Sequence, residues 1–169
     1  ESVKGVVGGD EVRRNFVLKM PLKALEYDVK QVHFFVISDY DGDTAYSKMG
    51  DYYNLKDKTP ETAVIKPSTQ ARNSLHKFNI AKMEYNEKKT NEFRETLSKV
   101  SSVNLTGIVL TNKFKKESET EFYGTVYAVW QVCNDDEGVT PKAIKLSFPY
   151  EMKKMDWLGK IEEVGKSGT

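Results

Sequence analysis

Residues 38–48 read SDYDGDTAYSK and set Asp39, Asp41 and Asp43 at alternate positions around Gly42. Alternating carboxylates suggest calcium chemistry first. A helix–loop–helix calcium loop takes ligands at positions 1, 3 and 5, a turn glycine at 6 and a bidentate Glu at 12. Counted from Asp39, the sixth residue is Thr44, the twelfth is Gly50, and the glycine comes at the fourth. The closing carboxylate is absent. An Asx-rich turn between two helices accounts for the same residues, with Asp43 capping the second helix. No metal and no other cofactor is expected.

His33 and His76 are the only histidines. A catalytic imidazole needs a carboxylate or nucleophile held against it. His33 has Asp39, Asp41 and Glu26 nearby in sequence, so a His–Asp proton-transfer pair facing a pocket is the alternative to a packed helix histidine. His76 has no acidic neighbour and reads as a surface residue. The chain has no G-x-S-x-G, no H-E-x-x-H and no Walker-type glycine loop. The basic clusters Arg13–Phe16 and Lys113–Lys116 read as solvated faces. Trp157, in MDWLGK, sits at a turn beside Met155 and Leu158. A ring placed there suits a protein contact, or alternatively a plug on the end of a sheet.

These residues need elements to hold them. Residues 1–10, with three glycines, read as a flexible lead-in, and 165–169 as a loose tail. Leu22, Leu25, Val29, Val32 and Val36 recur at steps of three and four, which predicts a helix over about 21–37 with Pro21 in its first turn. A second helix follows Asp43 and carries Ala45, Met49, Tyr52 and Tyr53 inward. Lys56–Thr62 is a loop. A short helix begins near Ser68 or Thr69. Lys77–Tyr85 either continues it or forms a strand. A further helix from Asn86 or Thr90 presents Phe93, Leu97 and Val100. The period then changes to two. Ser102–Phe114 and Phe122–Cys133 are strands, and the second, apolar on both faces, is expected at the centre of a sheet covered on both sides. Residues 142–152 alternate again, and Lys160–Val164 closes the chain as a short strand. Helices first and strands after predict an α+β domain over 11–164, with N-terminal helices packed on a curved antiparallel sheet. Alternating βαβ units are missing, so a dinucleotide-type parallel sheet is not expected.

Bulk properties bound the function. The chain has 169 residues, enough for one domain with a core of its own. Its 26 Lys and Arg against 25 Asp and Glu give no polyelectrolyte signal for nucleic acid. Nine Tyr and eight Phe are too many for a disordered chain. The single cysteine, Cys133, excludes an internal disulfide and a thiolate zinc site. No run of about 18 apolar residues is present to span a bilayer. The chain begins at Glu1, which is compatible with the loss of a leader or anchor.

The order of elements resembles the cone of the nuclear-transport-factor-two-like fold. Within it, VHFFVISDYDGDTAYSKMGDYYNL, VNLTGIVLTNKFKKESETEFYGTVYAVWQV and FPYEMKKMDWLGKIEEV resemble the opening helix, central strand pair and closing strands of the VirB-eight and TcpC-like assembly subunits of type IV (conjugative) secretion machines. The resemblance covers about residues 25–164. Gly42 interrupts what would be a continuous first helix, and 57–90 has no clear counterpart. The resemblance implies a non-catalytic scaffold outside the cytoplasmic membrane. It would bind other protein subunits, including copies of itself, and meet the membrane only through an anchor outside this chain. It carries over no functional residue.

Overall fold

A computed structural model describes residues 10–34, 37–41, 50–100, 103–113, 124–132, 144–148, 151–156 and 158–164. The chain is α+β, with helices and antiparallel strands. The sequence reading expects one domain over 11–164. The structure groups the chain into two compact units, Glu1–Leu75 and His76–Thr169.

In the first unit, helix α1 spans Asp10–Glu26 and α2 spans Pro67–Ser74. The first helix therefore starts and ends about ten residues before the expected 21–37. Pro21 lies inside it, not in its first turn, and has no N–H to return to the Val17 carbonyl. The helix ends because Asp28 adopts a left-handed φ of 54°. The Asp28 N–H donates to the Leu25 carbonyl at 3.3 Å and the Val29 N–H to Ala24 at 2.8 Å, which satisfies the last free carbonyls. Val29 and Val32 continue the apolar stripe in sequence but lie beyond that stop, in chain without regular structure. Val17 and Leu22 are the buried apolar residues of α1.

The second helix expected from Asp43 falls mostly on residues outside the described set. Its far end, Tyr52 and Tyr53, is extended: Tyr52 bridges Ser38 in parallel and Ile65 in antiparallel fashion. Backbone bonds from Asp39 N–H to the Tyr52 carbonyl, 3.0 Å, and from Lys66 N–H to Asp51, 3.0 Å, hold these segments side by side. The second short helix is present, but its N-cap is Lys66 with Pro67 following, not Ser68 or Thr69.

The second unit begins in short 3-10 turns that lead into β1, Met83–Tyr85. Helix α3 covers Glu87–Val100, then β2 Leu105–Asn112, β3 Thr125–Gln131, β4 Met152–Met155 and β5 Ile161–Val164. Helices and strands are thus less segregated than the sequence suggests, because β1 precedes α3. The strands form one antiparallel sheet in the order β1-β2-β3 and a separate hairpin β4-β5. The register pairs Tyr85 with Leu110, Val109 with Tyr127 and Gly107 with Val129.

The expected central strand is wrong. The middle position belongs to β2, where Ile108, Val109 and Leu110 are fully buried. Among the described residues β3 pairs with β2 alone; most of it is half-buried and Val129 is exposed. Tyr123 and Cys133 lie outside the described set. Of the segment 142–152, expected to alternate as a strand, 144–148 have no ladder partner among the described residues, and Met152 at its end begins β4. Leu146 and Phe148 nevertheless pack on the core of Phe93, Leu97 and Val109.

Helix α3 explains why β2 is central. Asn86 caps it by accepting the Lys89 N–H at 3.0 Å. Phe93 and Leu97 point inward as the spacing predicts, while Val100 is exposed. Polar groups of the helix take up the β2 edge beyond the short β1. The Val109 N–H donates to the Thr90 hydroxyl at 2.9 Å, and the Asn86 N–H donates to the Val109 carbonyl at 3.0 Å. Arg94 Nε donates to the Gly107 carbonyl at 2.9 Å. The edge is thereby covered and satisfied. Such close approach requires Gly107: a Cβ there would lie 2.4 Å from the Ala128 carbonyl oxygen and 2.8 Å from Phe93. Thr90 is wholly buried. Thr90→Val should therefore cost about 1–3 kcal/mol by stranding the Val109 amide. Thr90→Ser should recover most of it in denaturant melts.

The hairpin is laced by charge. Lys153 faces Glu163 at 3.3 Å and Lys154 faces Glu162 at 3.0 Å. Hydrogen bonds from Lys154 and then Lys160 hold the Glu162 carboxyl below its usual range. Its turn is closed by Asp156, which accepts the Leu158 and Lys160 amides, each at 2.9 Å.

Candidate functional site

The acidic stretch of the first unit is largely internal wiring. Asp39 is buried, 6% exposed, and one of its oxygens accepts both the Lys66 ammonium at 2.8 Å and the Gly50 N–H at 2.9 Å. Lys66 is 3% exposed and also lies 5.1 Å from the Tyr53 ring centre. Gly50 is required: a Cβ would fall 2.1 Å from the Asp39 backbone nitrogen. Beside this pair, Asp51 receives a two-pronged contact from Arg72, at 3.1 and 2.7 Å, and the Thr69 hydroxyl at 3.0 Å. That fork geometry is the strong form of an ion pair. Arg72 also stacks 4.9 Å from the Phe34 ring. Asp41 is exposed and accepts from Asn54 at 2.7 Å and Lys56 at 3.3 Å.

His33 does not join these acids. It is exposed and lines an apolar hollow of about 360 Å³ with Met20, Tyr27, Val29 and Val32. No hydrogen bond or ion pair joins it to Asp39 or Asp41. The expected proton-transfer pair is not formed, because Asp39 turns inward to Lys66. Nor is His33 the packed helix residue of the sequence reading, since α1 ends before it. No group of three His, Cys, Asp or Glu among the described residues could hold a metal ion. Asp43 lies outside that set.

Sequence reasoning missed Lys66, Asp51 and Arg72. The available signal was a lysine at the end of the β-branched run Val64–Ile65, directly before Pro67. Of the expected contact trio, Met155 is half-buried at the end of β4, paired with Ile161, and Leu158 is 45% exposed. Trp157 is outside the described residues.

The second unit carries a groove of about 440 Å³. One wall is the face of α3 bearing Lys89, Glu92, Phe93, Thr96 and Val100. The other is Lys145–Phe148, and Tyr127 of β3 contributes from below. Three rings form its base: Tyr127 lies 5.1 Å from Phe93, edge to face, and 5.1 Å from Phe148, tilted. These are favourable aromatic geometries; Phe93 is buried, and Tyr127 and Phe148 are half-buried. The α3 residues recur at steps of three and four and so share one helix face. Sequence reading puts Phe93 on the apolar face of its helix but does not join it to Tyr127 and Phe148 in a groove, because Lys145–Phe148 reaches them from far along the chain.

No family model, no curated protein and no solved structure matches this chain.

Proposed function

We propose that this chain is a non-catalytic protein-interaction domain that docks other subunits through the groove between α3 and residues 145–148. The observation that carries this reading is the groove itself, with an aromatic base between walls of mixed polarity, the make-up of a contact patch with apolar anchoring sites. The acids of the first unit support it from the other side. Asp39 and Asp51 are bonded to Lys66 and Arg72, and Asp41 to Asn54 and Lys56, so each already has a structural partner.

The finer placement, a cone-shaped domain of a type IV secretion channel on the extracytoplasmic face of the membrane, rests on the sequence resemblance over residues 25–164. The same resemblance puts any membrane link in an anchor outside this chain; no described helix is long and apolar enough to cross a membrane. Contacts with copies of itself, and contacts through Met155, Trp157 and Leu158, belong to the same reading. A second reading, a small ligand in the groove, is favoured by its volume, which lies in the range of about 300–1,000 Å³ usual for such sites.

A photo-crosslinking residue at Thr96 or Ser147, both exposed on the groove walls, distinguishes these. In native cells it should yield one or a few discrete protein adducts, absent when the same residue replaces Lys58. Adducts no more frequent than at Lys58 would remove the docking reading.

A further inference from the structure

The groove has charge at both rims and aromatic rings at its base, and this sets the chemistry of what it can hold. On the α3 wall stands Lys89, on the opposite wall Lys145. Both are exposed, and among the described residues no acid forms an ion pair with either. The N-terminal end of α3, close to Lys89, adds the partial positive charge of its first amides. Among the described residues Glu92 is the one acid on the lining. It lies one turn further along α3, on the same wall as Lys89.

We infer that the groove takes an extended segment of a partner protein that carries a large apolar side chain flanked by acidic residues. This deepens the docking reading and rests on it. The apolar side chain lies on Phe93, Tyr127 and Phe148. Its acidic neighbours meet Lys89 and Lys145 on the two walls. Glu92 fixes the register, because an acid directly opposite it would be repelled. Charge at such a rim governs partner choice and association rate more than the bulk of the affinity, so the apolar anchor supplies most of the binding. An extended segment fits the dimensions. The wall from Lys89 to Val100 is twelve residues of helix, whose eleven rises span about 16 Å, and would face about five residues of extended chain.

Selection from a random twelve-residue peptide library tests this on the whole chain. The enriched peptides should share an aromatic or large aliphatic residue with Asp or Glu within two positions. Binding of a selected peptide, followed by fluorescence anisotropy, should weaken at least tenfold in K89E/K145E and in F148A. It should also weaken with added salt. The charge-reversed peptide, with Lys for each acid, should bind K89E/K145E better than it binds the unaltered chain. Two-dimensional amide spectra of each variant establish that it is folded and show whether the peptide shifts the α3 and 145–148 resonances. Enriched peptides that bind in the groove but are neutral or basic overturn this inference and leave the docking reading intact. So does binding unchanged by K89E/K145E but lost in F148A. Peptides that bind elsewhere, or no enrichment at all, overturn both. Self-association through the groove, seen as a concentration-dependent mass that K89E/K145E does not alter, overturns the acidic-partner inference in favour of a second copy.

Discussion

Lys66→Met should destabilise the first unit by about 3–5 kcal/mol, the usual cost of removing one member of a buried ion pair. The cost arises because Asp39 would stay at 6% exposure with the Gly50 amide as its remaining described partner. Its charge was compensated by an ammonium 2.8 Å away, and methionine supplies none. The unit contains about 75 residues, so each kcal/mol lowers its melting temperature by roughly 4–8 °C. The informative comparison is the double variant Asp39→Leu/Lys66→Met. Replacing both charges by apolar groups of similar shape is often neutral or even stabilising, so the double variant should recover most of the loss. A coupling energy below about 1 kcal/mol in that cycle would place the pair among solvated surface bridges and contradict its burial. Asp41→Ala is the control. Asp41 is exposed, and its change should stay within about 0.5 kcal/mol, with or without added calcium. A calcium-dependent rise in melting temperature lost in Asp41→Ala would restore the ion-binding reading of SDYDGD.

Leu97→Ala should be the most damaging single truncation in the second unit, at about 2–5 kcal/mol. Leu97 is wholly buried and belongs to the cluster of Phe93 and Val109, on which Leu105, Tyr127, Leu146 and Phe148 also pack. Its loss leaves a cavity beneath α3, which packs on that sheet. The alternation of Phe122–Cys133 alone would have put the largest effects at Val126 and Trp130. Both are only half-buried, so alanine there should cost less than at Leu97. Denaturant melts of L97A, V126A and W130A give the order directly. If W130A proved the costliest, β3 rather than β2 would be the interior strand.

What the sequence by itself determined is local. The three-and-four spacing of Phe93 and Leu97, with Asn86 before them, specified α3 and its inward face, because helix periodicity and capping depend on residues within one or two turns. Alternation specified β2 and β3, and the turn before Lys160 specified β5. The α+β class followed from these elements without knowledge of their contacts.

Tertiary structure decided the rest. Alternating strands do not state their neighbours, so the two apolar faces of β3 pointed to the middle position that β2 in fact holds; Thr90, Asn86 and Arg94 cover one edge of β2. The stripe Leu22–Leu25–Val29–Val32 is continuous in sequence, yet α1 stops at Asp28, which tolerates a left-handed backbone better than most residues do and there closes the helix end. The acids of SDYDGD were visible as a cluster, but their meaning lay in Lys66, 27 residues from Asp39, which reaches it only once the segments bridged through Tyr52 lie side by side. The groove likewise joins α3 to residues 145–148, more than forty positions away, through ring contacts that no local pattern encodes. Periodicity reports which way a side chain faces along its own element; which other side chain it meets is settled by the packing of elements distant in the chain.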